Sequence, residues 1–307
     1  MHKKVKVAVL MGGKSQEHEI SLISGREVAK NLNPKKYIVT RIVIPKTGFD
    51  IFLPTKLKGA DLVFIALHGP NGEDGTIQGF LELLGIPYTG SGILASTIGM
   101  DKIYSRKIFT QLGLNTPNYV LISKEGKSLN LKNLKFPLFI KPSDQGSSVG
   151  VSKAKNIKEL KLGLKEAFKY SQTAIVEEYL QGIEVTGAVL GNNNPKALPL
   201  IEIVPKKDFF DFEAKYEPSL TDEIVPARIS KSLTKKAQSA ALEAYKSIGC
   251  RGFGRVDMII KGEKVYVLEI NTIPGLTPVS LFPKAAKAAG ISYSQLLDKI
   301  IDYAFNP

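Results

Sequence analysis

Cysteine is almost absent: Cys250 is the only one in 307 residues. A single cysteine excludes an intramolecular disulfide and a cysteine-rich zinc site. Its apolar setting, Ile248-Gly249-Cys250, predicts a core position rather than a nucleophile. No apolar run approaches the roughly 20 residues of a membrane helix. The opening MHKKVKVAVLMGG sets two lysines before an apolar stretch, as a signal peptide does, but Lys6 interrupts it and no small-residue cleavage site follows. It predicts a buried first strand and a cytoplasmic protein. Internal repeats and low-complexity linkers are also missing, as are zinc-finger spacing, an aromatic ribonucleoprotein signature and a basic segment leading into heptads.

What is present is ordinary globular composition, 43% hydrophobic and 23% charged, with a net charge of +13. That charge raises nucleic acid as a partner, but its distribution argues against a dedicated patch. In KNIKELKLGLKEAFKY, lysines 158, 161, 165 and 169 recur at helical spacing while Leu160, Leu164 and Phe168 take the other side. This predicts a solvated helix face over an apolar stripe, and favours an enzyme of anionic substrates over a nucleic-acid binder.

The length implies two or three packed domains. Residues 1–98 alternate strands (Val5–Met11, Tyr37–Ile44, Asp61–Leu67) with helical stretches (Ile20–Leu32, Gly75–Leu84). That rhythm predicts a Rossmann-like, doubly wound α/β unit with ligands beyond the C-terminal strand ends. Both glycine loops, Gly12-Gly13 and Gly69–Gly75, fall at such ends. Residues 99–183 form a second unit: a helix at Asp101–Leu112, a strand at Phe136–Lys141, a Gly/Ser loop, the lysine-rich helix and a strand at Ala174–Tyr179. Residues 184–307 are strand-rich, with strands at Val185–Leu190, Leu198–Val204, Arg255–Ile260 and Lys264–Asn271, and helices at Leu233–Ile248 and Tyr293–Tyr303.

The sharpest local signal is RVDMIIKGEKVYVLEIN, two strands about a turn at Gly262-Glu263. Alternation puts Arg255 and Asp257 on one face of the first strand, and Glu269 and Asn271 on one face of the second, opposite Leu268 and Ile270. The two polar faces coincide only if the loop has an odd residue count, as with Gly262–Lys264, or if a bulge does the same work; a plain two-residue turn would oppose them. Such a hairpin could carry ordinary surface salt bridges. Two facing carboxylates repel without a counter-ion, however, which favours a bound Mg²⁺.

Two further segments point to a nucleotide. FIKPSDQGSSVGVSK ends a strand at Lys141 and continues into small and hydroxylated residues whose backbone N–H groups can approach phosphate. It is not a P-loop: the nearest candidate, Gly13-Lys14-Ser15, has Ala8 where the first glycine must stand, and no GxGxxG follows the first strand. VEEYLQGIEVTG supplies Glu177 and Glu184, suited to ribose hydroxyls or an adenine amino group. Alone it would read as an exposed strand terminus. In the first unit, Glu17 and His68 each follow a strand, where Ser15 and Asp74 look like caps.

Together GGKSQEHEISLISG, ALHGPNGEDGTIQGFLELLGIPYTGSG, MDKIYSRK, KPSDQGSSVGV, FFDFEAKY and RVDMII…LEINTIPGLTPVSLFPKAA resemble, in order, segments of the D-alanine–D-alanine ligases. The resemblance implies an ATP-grasp fold behind the Rossmann-like unit, with ATP between the second and third units. It implies ATP contacts from Lys102, Lys141, Ser147, Ser148, Glu177, Glu178, Leu180, Glu184, Lys215 and Asn271. Two Mg²⁺ or Mn²⁺ ions are implied on Asp257, Glu269 and Asn271, with Glu269 bridging. Glu17 and His68 would bind the first D-alanine, and Ser280 and Leu281 the second. Arg255 and the backbone at Gly275 would stabilise the oxyanion. Ser147, Lys215 and Tyr216 would close over the site, the last two on a mobile lid at about 205–228. The family further implies a homodimer, a role in peptidoglycan precursor synthesis, and no membrane insertion. Phe210 and Phe212 depart from frequent tyrosines and Ile183 from a common arginine.

Alternatives are a D-alanine–D-lactate ligase, an ATP-grasp ligase of another carboxylate, and an inactive nucleotide or nucleic-acid binder. Retention of Tyr216 in EAKY favours the dipeptide, because the related D-lactate-using ligases typically replace that tyrosine. The intact Asp257, Glu269 and Asn271 set disfavours an inactive protein.

Overall fold

The run VKVAVLMG forms strand β1, Val5–Gly12, buried over its last six residues. Unbroken burial is what a parallel strand covered on both faces requires. β1 lies between β2 (Tyr37–Ile44) and β3 (Leu62–Ile65) and is parallel to both. Helix α1 (His18–Asn31) follows β1 and lies tightly on the sheet; a Cβ at Gly25 would come within 2.5 Å of Met11 Cβ. Helices α2 (Leu53–Leu57), α3 (Thr76–Leu83) and α4 (Ile93–Met100) complete this part. The computed structural model describes residues 3–48, 50–126, 129–146, 149–206 and 220–306.

Helix α5 (Lys102–Gln111) begins where Asp101 accepts from the N–H groups of Ile103 and Tyr104, a side-chain N-cap. Next comes a four-stranded antiparallel sheet, order β4-β7-β5-β6, made of Tyr119–Ser123, Thr173–Glu178, Leu138–Pro142 and Ser152–Ala154. Helix α6 (Ile157–Ala167) covers it with Leu160 and Leu164, and lysines 158, 161 and 165 are exposed, as the spacing predicts. This sheet has its own apolar core.

The third sheet runs β11-β10-β8-β12-β13, with the short β9 (Lys196–Ala197) paired to β8. Its strands are Thr221–Ile224, Ile201–Pro205, Ile183–Leu190, Phe253–Lys261 and Lys264–Asn271. Helix α7 (Lys231–Ser247) packs on it through Ala237, Ala241 and Tyr245. Cys250 is buried in the same core, which pushes its thiol up to about 12. Helices α8 (Leu281–Ala288) and α9 (Tyr293–Phe305) return to the first sheet: Phe282, Leu296, Ile300 and Ile301 share a core with Leu10, Phe64 and Ile65. No helix among the described residues is long and apolar enough to cross a membrane.

The β12–β13 hairpin meets the shared-face requirement by a bulge and not by a longer loop. Lys261 pairs with Lys264, so the turn holds two residues, not three. The register then shifts: Met258 faces Val267, but Asp257 faces Glu269. Leu268 is the extra residue of a β-bulge, which brings Glu269 and Asn271 onto the face of Arg255 and Asp257. Leu268 itself turns to that side rather than to the opposite one expected from strict alternation.

Candidate active site

Two cavities meet at one wall. The larger, about 600 Å³, lies between the C-terminal ends of the first sheet and the segment after β13; it is lined by Glu17, His68, Arg255, Asn271, Gly275, Ser280 and Leu281. The smaller, about 100 Å³, lies between the second and third sheets and is lined by Lys141, Glu177, Glu178, Leu180, Glu184 and Asp257. Lys102 and Glu269 line both. Their charges pair at 3.2 Å, and Lys102 Nζ also donates to the carbonyl of Gln145 at 2.5 Å. Ser147, Ser148, Lys215 and Tyr216, with most of the expected lid at about 205–228, lie outside the described residues.

In the larger cavity Glu17 starts α1, and Gly69 passes close beneath it; a Cβ there would sit 2.8 Å from Glu17 Oε2, and the φ of +70° also favours glycine. His68 is buried. Its Nδ1 contacts the carbonyl of Ile273 at 3.1 Å, and its Nε2 contacts Ser24 Oγ at 3.0 Å. A carbonyl only accepts, so Nδ1 carries the proton and Nε2 accepts from the serine. Burial, opposed by the charge of Glu17, lowers the His68 pKa and keeps the ring neutral. Glu73, not singled out in the sequence, accepts from the N–H groups of Gly69 (2.9 Å) and Ile273 (3.3 Å). Burial and the charge of Glu17 push its carboxyl up to about 8. His68 and Glu73 therefore grip both sides of Ile273, two residues before Gly275.

In the smaller cavity Glu177 is buried, not the solvated terminus its segment would suggest alone. Burial favours its neutral form, but Arg106 and Lys141, each 2.5 Å away, outweigh this and hold the carboxyl below its usual range. Arg106, fully buried on α5, was not expected. The available signal is its spacing: Lys102 and Arg106 are four apart and share a helix face.

On the hairpin, Arg255 donates to both oxygens of Asp257, at 2.9 and 2.8 Å. Burial opposes the guanidinium charge, yet Asp257 raises its pKa further. Thr186 Oγ1 and Asn271 Nδ2 also donate to Asp257, at 2.6 and 3.2 Å. Thr186 was not anticipated either. Among the described residues no three His, Cys, Asp or Glu side chains gather into a metal cage. Two carboxylates opposed in register plus an amide make an all-oxygen partial set. That fits Mg²⁺, which completes its shell with water and phosphate oxygens.

Comparison with known proteins agrees with this arrangement. Residues 108–302 match the family model for the D-ala D-ala ligase C-terminus, and residues 6–54 and 49–91 match that for the N-terminus. A D-alanine–D-alanine ligase of Carboxydothermus hydrogenoformans is 46% identical over 306 residues, covering 97% of both chains. One from Desulforudis audaxviator is 45% identical, covering 97% of this chain and 98% of its own. Among solved structures, the Bacillus anthracis D-alanine–D-alanine ligase complexed with ATP superposes with a TM-score of 0.88 at 39% identity, covering 99% of this chain and 98% of that one. The VanG D-Ala:D-Ser ligase of Enterococcus faecalis gives 0.86 at 35%, covering 98% and 100%.

Proposed function

The chain belongs to the D-alanine–D-alanine ligase family, and from that premise we propose how its residues join two D-alanine molecules. It is an ATP-dependent ligase with an ATP-grasp fold, and its product is D-alanyl-D-alanine. The observation that carries the residue assignment is the shared wall: Lys102 and Glu269 line both cavities. A phosphoryl group passing from one to the other must cross there.

A carboxylate is a poor electrophile. The first D-alanine, its ammonium on Glu17 and its carboxylate near His68, attacks the γ-phosphate of ATP through a carboxylate oxygen, giving D-alanyl phosphate and releasing ADP as the bond between the β–γ bridging oxygen and the γ-phosphorus breaks. Lys102 and Lys141 neutralise the charge that builds up in this transfer. Asp257, Glu269 and Asn271 would hold Mg²⁺ or Mn²⁺, which would offset the phosphate charge further. Glu178, Leu180 and Glu184 bind the nucleoside side of ATP. The amine of the second D-alanine, held by Ser280 and Leu281, then attacks the acyl carbon. Arg255 and the Gly275 N–H steady the oxyanion, and phosphate leaves. Ser147, Ser148, Lys215 and Tyr216 close over the reaction and exclude water, with the Tyr216 hydroxyl favouring an amine nucleophile. The enzyme works as a cytoplasmic homodimer, and its product supplies peptidoglycan precursor synthesis.

The test measures phosphate release from ATP with and without D-alanine, and identifies the products formed with D-alanine, D-serine or D-lactate as second substrate. D-alanine-dependent release with dipeptide as the main product is expected. Release independent of D-alanine, or a mainly depsipeptide product, overturns the reading.

A further inference from the structure

Strands β10 and β11 pair with Ile203 opposite Glu223 and Val204 opposite Asp222. Their two adjacent acids have different fates. Asp222 meets Lys206 at 3.2 Å, and both side chains are more than half exposed (59% and 51%), so that pair is largely solvated. Glu223 is only 19% exposed and meets Lys284 Nζ at 2.5 Å. Lys284 sits on α8 one turn beyond Ser280, whose carbonyl accepts its N–H at 3.0 Å. The buried Phe282, Pro283, Ala285 and Ala286 anchor α8, and Phe282 meets the edge of Phe253 with ring centroids 5.6 Å apart. Lys284 and Glu223 both line the larger cavity, beside Ser280 and Leu281.

We infer that Lys284 is a positioning residue for the second amino acid: by holding Glu223 it neutralises a carboxylate on the wall of that subsite. The inference rests on the ligase reading above. The second D-alanine brings its own carboxylate to Ser280 and Leu281. A bare Glu223 on the same wall would repel it, and a carboxylate only 19% exposed is screened less than a surface one. With Lys284 bound, Glu223 is neutralised, and the β10–β11 hairpin is tied to the helix that presents Ser280 and Leu281; Asp222, which lines the same cavity, is paired with Lys206 and largely solvated. The role is electrostatic, so it depends on charge sign rather than on side-chain shape.

The test is steady-state kinetics that resolve separate KM values for the first and second D-alanine and for ATP, with melting temperatures alongside. Lys284→Met should raise the KM for the second D-alanine about tenfold and leave the other two within about twofold. Lys284→Arg should behave like wild type. Glu223→Gln, which leaves only the positive Lys284 there, should not raise the KM for the second D-alanine, and Lys284→Met/Glu223→Gln should recover most of the tenfold loss, because the repelling charge is gone. The inference is overturned if Lys284→Met leaves the second KM unchanged, if all three KM values rise together, or if the double variant is no better than the single one. A wild type that consumes ATP with D-alanine but forms no dipeptide overturns the ligase reading itself, and this inference with it.

Discussion

Arg106 lies wholly inside the protein, with its guanidinium 5.5 Å over the Tyr119 ring and its Nη2 3.5 Å from the carbonyl of Leu268. It holds Glu177, which in turn holds Lys141 at the smaller cavity. Removing one partner of a buried pair costs about 3–5 kcal/mol, whereas replacing both with apolar groups is often neutral. Arg106→Met should therefore destabilise by up to about that amount in urea unfolding, because Lys141 remains as one partner. Arg106→Met/Glu177→Leu should recover part of the stability, because the buried carboxylate is gone while Lys141, 14% exposed, loses its partner. Equal stability of the two variants would refute the account. Glu73 makes a second residue-scale case. An acid raised to about 8 keeps in the folded state a proton that the unfolded chain has lost. The stability it brings is full below the ordinary glutamate range and is lost as pH rises through about 8. Glu73→Gln removes this pH dependence but loses one acceptor for the Gly69 and Ile273 N–H groups, a cost of about 1 kcal/mol. The variant should be the less stable protein at pH 5 and gain on wild type towards pH 8.5, by at most ~1.4 kcal/mol per pH unit. A constant gap in unfolding midpoints across that range would contradict the assignment. Neither role is fully legible in sequence: the Lys102–Arg106 spacing shows a shared helix face but not Glu177, and Glu73 has a local partner in Gly69 while Ile273 lies 200 residues away.

At the scale of elements, legibility follows periodicity. β1, β2 and α6 are readable because continuous burial, or a 3.6-residue apolar stripe, leaves a one-dimensional trace. Helix α4 has no such trace: Ile93–Met100 is apolar nearly throughout, and Leu94 remains exposed at its surface. The short β9 and β11 each pair with a strand close before them in the chain, but two and four residues are too few to carry a readable alternation. The hairpin is intermediate. The sequence contains the requirement that Asp257 and Glu269 share a face, while the device that meets it is a bulge at Leu268 rather than a longer turn. That bulge has a consequence. It points Leu268 into the smaller cavity beside Lys141 and Leu180, so the residue that corrects the register would also form part of the proposed nucleotide wall. Leu268→Ala should keep the register and raise the KM for ATP about 5- to 30-fold, matching the ~1–2 kcal/mol of a partly buried leucine side chain. The KM for D-alanine should stay unchanged. An unaltered KM for ATP would show that the bulge serves register alone.

At the scale of the whole molecule, three cores are unequally joined. The first and third sheets are bound through α8 and α9, since Phe282, Leu296 and Ile300 pack with Leu10 and Phe64. The second sheet keeps a separate core of Val120, Leu138, Ile140, Leu160, Leu164 and Val176. It meets the rest through polar groups about the smaller cavity: Lys102 with Gln145, and Arg106 with Glu177. A unit tied mainly by polar contacts around a ligand cavity opens more readily than one sharing an apolar core. The second unit should therefore depend on nucleotide in a way the others do not. Leu160→Ala, a core truncation costing about 2–5 kcal/mol, should speed hydrogen exchange across β4–β7 and leave β1 and β12 protected. Ile300→Ala, a comparable truncation in α9, should affect the first sheet. If ATP binds between the second and third sheets, as proposed, then at about 100 times its Kd it adds about 2.7 kcal/mol of protection. That gain should appear chiefly in the second unit and offset much of the Leu160→Ala defect there. Exchange mass spectrometry with and without a non-hydrolysable ATP analogue distinguishes the outcomes. If Leu160→Ala opens β1 and β12 as much as β7, the molecule unfolds as one cooperative body and the nucleotide is not what holds the second sheet in place.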